Sequence, residues 1–374
     1  MTTVSIDSID SIDADAIAPT RTDATAHQPP EDLSFERTID RELVHRDSLG
    51  EVFVTDLRQG PAPGGYLAAA QLPRSHAYYG DHMLRPHSYD PILLLEAARQ
   101  AALAGAHAFF DVPRSHKFIL THLRIHLAHP ELTTVGDAAF PVRMDIRTGN
   151  VKQRDGRTVG LDYEVRMSVG EVMIGQASVG LRFKSPESYV RLRTANRNGR
   201  PLPSSASPLG RITGTLVDPT LVGRCSPDNV VLLDADTSDA MATATLHVPG
   251  GHPSMFDHPQ DHIPGMVLAE AARQLALFTA LDLCGISAAR TLLTDLSVTF
   301  TRFGELDEKT TMSAFVESRR GESPEVYYTQ GGTLQTESLT SRDLAEQIVV
   351  NLSALQGGEP ISKFSLSLGR LQGR

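Results

Sequence analysis

The sequence predicts an α+β chain made of two copies of one domain, each an antiparallel sheet wrapped around a single long buried helix. The pentapeptide EAARQ occurs at 96–100 and again at 270–274, each time inside an apolar run, PILLLEAARQAALAGAHAFF and PGMVLAEAARQLALFTALDL. Further matches flank it in the same order: LVHR at 43–46 with LVGR at 221–224, EVFVTD at 51–56 with NVVLLD at 229–234, LPRSHAYYGDH at 72–82 with VPGGHPSMFDH at 248–258, and ILTHL at 119–123 with LLTDL at 292–296. Their spacing drifts only from 178 to 173 residues, as loops that differ by a residue or two would make it, and this marks an internal duplication. Apolar residues also occupy nearly every face of 90–110 and 264–283, so both helices should be enclosed by protein rather than lie on a surface.

The elements follow in order. Residues 1–33 carry a Ser-Ile-Asp stutter, many small polar residues and no aromatic, a composition that cannot form a core, and are predicted to be a disordered tail. Repeat 1 spans 34–193: a β-rich opening, a Pro/His/Asp loop, the long helix, then strands at FILTHLRIHLA, AAFPVRMDIRT, TVGLDYEVRMSV and MIGQASVGLRF. The Pro-, Ser-, Gly- and Asn-rich stretch 194–210 reads as a linker. Repeat 2 spans 211–355, with strands expected at TLLTDLSVTFTRF, TTMSAFVES and EVYYTQGGTLQT, and 356–374 reads as a C-terminal tail. One long helix wrapped by an antiparallel sheet is the hotdog fold, so the prediction is a tandem (double) hotdog.

Bulk properties narrow the function. A net charge of −10, from 35 basic and 45 acidic residues, disfavours nonspecific binding to nucleic acid or anionic membrane. Two cysteines, Cys225 and Cys284, argue against a disulfide framework or a cysteine-rich metal site and fit the cytoplasm. No apolar run is long enough to span a bilayer, and the N-terminus lacks the basic and apolar regions of a signal peptide. The chain contains no G-x-S-x-G elbow, G-x-G-x-x-G or Walker sequence, which disfavours serine hydrolases and nucleotide enzymes, and no cofactor is expected. The basic stretch YVRLRTANRNGR at 189–200 reads as a solvated linker end where an acidic carrier protein could dock.

The segment HPSMFDHPQDHIPGMVLAEAARQ at 252–274 resembles the signature of the A-factor biosynthesis family, the AfsA-like enzymes: a His-Pro start, an Asp-His pair, Asp-His-x-Pro-Gly-Met and then Glu-Ala-Ala-Arg-Gln. LVHR at 43–46 and the two-copy layout share that resemblance, which covers roughly 40–355. It implies transfer of a β-ketoacyl group from acyl carrier protein to the hydroxyl of dihydroxyacetone phosphate, in biosynthesis of γ-butyrolactone, butenolide or furan signalling molecules. The implied partners are those two substrates, with no nucleic acid or membrane, in a monomer or homodimer. A weaker similarity links the stretch to β-hydroxyacyl-ACP dehydratases, but their histidine, fourteen residues before the acid, is here Phe256. A hotdog dehydratase or hydrolase, or a non-catalytic acyl-binding protein, are the alternatives.

Glu and Arg three apart on a helix can pair, Glu96 with Arg99 and Glu270 with Arg273, and a buried pair can be purely structural. In the second copy, Pro264 and Gly265 open the helix and leave first-turn amides free for a thioester oxygen. Glu270 is then the expected general base, and Arg273 either orients it or holds the acceptor phosphate. Asp90-Pro91 replaces Pro264-Gly265 in the first copy, so Glu96 is expected to be auxiliary. The substrate-binding candidates are Gly265, Arg99, His258, Asp257, His252 and His82. Loops that cross between copies, as hotdog pairs commonly have, would bring His76, Asp81 and His82 toward Glu270, and His252 and His258 toward Glu96. His252, His258 and His262 with Asp257 and Asp261 have metal-ligand chemistry, but Pro259 and Pro264 break the helix needed to align them; caps and loop bonds are the reading, and no metal is expected.

Overall fold

A computed structural model describes residues 33–207, 213–320 and 344–371. The first half contains β1 (Val54–Gln59), β2 (Gly65–Leu72), α1 (Pro91–Phe109), β3 (Lys117–Leu127), β4 (Phe140–Arg154), β5 (Arg157–Val169) and β6 (Val172–Lys184). After α2 (Pro186–Asn196), the second half contains β7 (Leu232–Ser238), β8 (Met241–Leu246), α3 (Gly265–Cys284), β9 (Thr291–Phe300), β10 (Thr310–Arg320), β11 (Leu344–Gln356) and β12 (Glu359–Leu371). Twelve strands among the described residues form one antiparallel sheet, in the order β1-β2-β4-β5-β6-β3-β9-β12-β11-β10-β8-β7. From either edge inward the strand order is the same, so the duplication read from short matches is a two-fold repeat of topology. The halves meet at β3 and β9, where Leu123 faces Val298 and Ile125 faces Leu296. These apolar positions alternate along β3 with Arg124 and His126, which places one face of each strand on the core.

Each half-sheet curls around its helix, and α1 is buried from Pro91 through Ala98. Asp90 caps α1 by accepting from the Ile92 amide, with Pro91 at the first helical position. No side chain caps α3, which starts at Gly265 and stops at Gly285 in left-handed backbone, φ 68°. Enclosure is tight enough to require glycine at 105, where a Cβ would sit 2.2 Å from the Tyr66 hydroxyl. This is the tandem hotdog the apolar helices predicted. Among the described residues, no helix is long and apolar enough to cross a membrane.

Two expected boundaries are corrected. The expected tail 356–374 contains β12, which lies inside the sheet between β9 and β11 and buries Ile361, Phe364, Leu366 and Leu368. A chain ending at Leu355 is therefore expected to lose its cooperative fold, because both neighbours of β12 would lose a partner strand; thermal melting against the full chain checks this. The expected linker and solvated basic end also differ. α2 runs into 194–196, and Arg193 and Arg197 are buried against Glu305, Arg193 at 2.5 Å. A guanidinium here finds two carboxylates, Glu305 and Asp307, supplied by the second half. Residues 1–32, the linker residues 208–210 and the strand expected at 325–336 lie outside the described residues.

Candidate active site

The two halves exchange loops. The loop between β2 and α1 lies over the second half: the carbonyls of Tyr78 and Asp81 accept from Arg224 Nη1 at 2.7 and 2.8 Å, and the Asp81 carboxylate accepts from the Cys225 and Ser226 amides. In the mirror arrangement Asp257 accepts from the amides of Asp47 and Ser48 at 2.6 and 2.9 Å. The start of each long helix consequently lies beside the Glu-Arg pair of the other, so Gly265 shares a cavity with Arg99 and Asp90 shares one with Arg273.

Glu270 is fully buried, and both its oxygens are occupied. Arg224 Nε donates to Oε1 at 2.9 Å, Gln274 Nε2 to Oε1 at 2.5 Å and Arg273 Nη2 to Oε2 at 2.5 Å. Arg273 is then neutralised a second time, by Asp90 at 2.7 Å. Burial pushes the Asp90 carboxyl up, but the charges of Arg273 and Arg224 outweigh it and hold the group below the usual carboxylate range. Two guanidinium groups thus face two carboxylates. The adjacent cavity, lined by His82, Asp90, Gly223 and Arg273, measures about 40 Å³, room for a few waters.

The Glu96 cluster has the same frame and a different charge. Glu96 is fully buried and accepts from Arg46 at 2.6 Å, from Arg99 Nε and Nη2 at 2.7 and 2.8 Å, and from Gln100 at 2.9 Å. Burial pushes its carboxyl up, yet the charges and hydrogen bonds of Arg99 and Arg46 prevail and hold it at about 2. The position matching Asp90 is Pro264, so two guanidinium groups face one carboxylate. Arg46 Nε, shielded from water, has no acceptor among the described residues. Arg46, Arg99 and Lys117 line a cavity of about 400 Å³, a volume typical of small-molecule sites, whose other wall is Asp257–His262 and the start of α3, Pro264–Val267.

The remaining predicted residues divide between these places. Gly265 lines the larger cavity, and its lack of a side chain is a packing requirement: a Cβ would stand 2.9 Å from the Phe300 ring and 3.0 Å from Leu120. His258 lines it too, with Nδ1 3.3 Å from Asp257 and Nε2 2.6 Å from Gln260. His82 stacks on His87 in the smaller cavity, and burial lowers it to about 4. His252 hydrogen-bonds within its own half, where Nδ1 accepts from the Ser254 and Met255 amides and Nε2 meets Asn229 Oδ1 at 2.8 Å, and its ring packs edge-on against Tyr78 of the other half. Among the described residues, no three His, Cys, Asp or Glu side chains converge as a metal requires.

Arg46 and Arg224 received no role from the sequence. Their signal was the LVHR and LVGR pair, whose last residue is the same in both halves because each arginine must meet a buried glutamate.

Comparison with known proteins places this architecture. The family model of the A-factor biosynthesis hotdog domain matches residues 27–185 and 207–360. A 2-oxo-3-(phosphooxy)propyl 3-oxoalkanoate synthase of Streptomyces virginiae is 34% identical over 277 residues, 72% of this chain and 84% of the relative. One of the same name from Streptomyces coelicolor is 30% identical over 293 residues, 76% and 84% of the two chains. Among solved structures, a bifunctional dehydratase-cyclase domain in ambruticin biosynthesis aligns with a TM-score of 0.43 and 15% identity, over 86% of this chain and 95% of that one. With a match in each half and relatives along most of its length, the chain belongs to the A-factor biosynthesis hotdog family.

Proposed function

We propose that the chain transfers a β-ketoacyl group from acyl carrier protein to the hydroxyl of dihydroxyacetone phosphate, in the 400 Å³ cavity between its halves. The observation that carries this reading is the cationic side of that cavity: Arg46 and Arg99 share one directly paired carboxylate, Glu96, opposite the uncapped start of α3. A phosphate suits the forked donors of Arg99 and the unmatched donor of Arg46. A thioester carbonyl suits the first-turn amides of α3, which supply donors where its oxygen gains charge. The relatives' names describe the ester that such a pairing of phosphorylated acceptor and 3-oxoacyl donor would yield.

Within this reading both oxygens of Glu96 are taken up by Arg46, Arg99 and Gln100, so it serves to position the two arginines rather than to move protons. Glu270 and Arg273 form the matching buried clamp of the other half. Lys117 and Arg191 occupy exposed positions, one lining the cavity and one following the lining residue Val190, which suits an acidic carrier. Incubation with β-ketoacyl-ACP, with and without dihydroxyacetone phosphate, followed by mass spectrometry tests the proposal. An acceptor-dependent phosphorylated ester is expected; free acid without acceptor dependence would make the protein a hydrolase, and an unchanged thioester an acyl-binding protein.

A further inference from the structure

We propose that His45 is the base that takes the proton of the acceptor hydroxyl, a role that rests on the transferase reading above. Backbone conformation is the first support. His45 ends the short helix Arg41–Val44 at φ 53° and ψ 50°, a left-handed conformation that side chains other than glycine rarely adopt. Its counterpart in the other half is Gly223, at φ 75°. One half thus uses the residue the backbone favours, and the other places there an imidazole, one of the side chains that enter this region more readily than most.

Hydrogen bonding points the same way. His107 Nδ1 lies 2.7 Å from the Val112 carbonyl, which can only accept, so that nitrogen carries the proton. His107 Nε2 of the neutral ring is then an acceptor, and His45 Nε2, 3.0 Å away, must donate to it. The relay leaves the lone pair of His45 on Nδ1, which no described residue engages, while Phe118 meets the ring edge-on at 4.7 Å. Burial, then the charges of His107, Arg99, His258 and Lys117, lowers the ring to about 3, so it is neutral when substrate arrives.

Location supplies the third support. His45 lines the larger cavity with Arg46, Arg99 and Gly265, whereas Gly223 lines the smaller one. Of the other histidines there, His258 has both nitrogens engaged; His262 gives Nδ1 to Asp261 at 2.6 Å and, like His45, keeps one nitrogen that no described residue engages, so it is the competing base that the variant below separates from His45. In the step itself, the acceptor oxygen bonds to the thioester carbonyl carbon as its proton passes to His45 Nδ1. The carbonyl oxygen takes the negative charge facing the α3 amides. Collapse breaks the carbon–sulfur bond, and the same proton passes to the departing thiolate, which gives ester and thiol with no net redox change.

His45→Gly tests this, because it copies Gly223 and relieves the backbone. The expected result is a melting temperature equal to or above that of the wild type, acceptor binding retained, transfer reduced about a hundredfold or more, and partial rescue by added imidazole. Near-normal transfer by this variant would overturn the role of His45 and leave the transferase reading intact, as would a loss that imidazole does not rescue. A wild-type chain that forms no acceptor ester would instead overturn the transferase reading, and the base role with it.

Discussion

Glu270→Gln is expected to make the protein unfold more readily while the molecules that remain folded keep most of their acyl transfer. The substitution preserves shape but removes the charge that Arg224 and Arg273 share, leaving only Asp90 as counterion. It also turns an amide NH₂ toward groups that are themselves donors. Breaking a buried ion pair by removing one partner costs about 3–5 kcal/mol. Thermal melting and transfer on one preparation measure both quantities. A well-folded variant whose transfer has dropped a hundredfold would return Glu270 to the chemistry.

Arg99→Ala should show the opposite signature. Glu96 keeps Arg46 and Gln100, so the stability loss should be smaller than that of Glu270→Gln. The acceptor phosphate, however, loses its forked donor. Truncation of one side of a desolvated charge contact costs about 2–5 kcal/mol, so kcat/KM should fall about a hundredfold or more, mainly through a higher KM for dihydroxyacetone phosphate. The KM for the carrier thioester should change little. Initial rates with each substrate varied in turn check this, and an unchanged acceptor KM would remove Arg99 from phosphate binding.

The duplication and both enclosed helices were legible because apolar residues on every face leave a helix nowhere to lie except inside a sheet. β12 was missed although ISKFSLSL alternates as a strand should, because it lies beyond the last identity match between the halves. Its counterpart β6, MIGQASVGLRF, shares the alternation but only scattered residues, Ile174 with Ile361, Ser178 with Ser365 and Leu181 with Leu368. One grouping of candidate residues differs from the structure for a geometric reason. Gly265 and Glu270 belong to one helix and were read as one site, but five residues at 3.6 per turn are roughly 140° apart around the axis and point different ways. What meets Gly265 across the larger cavity is Arg99, some 166 positions away in the chain, and only the crossing loops bring them together. The change from Pro264 to Asp90 was visible as a carboxylate at a helix start; that it neutralises the other half's arginine could be read only from the fold.

Asp90 gives the duplicated frame an internal reference. In one half its carboxylate oxygen lies 2.7 Å from Nη1 of Arg273, beside the smaller cavity. In the other half the corresponding arginine lines an open cavity with no carboxylate in that place. The protein therefore carries, in its own covalent structure, a template of an anion docked on this arginine, and the register of Asp90 against Arg273 maps where a ligand oxygen should stand over Arg99.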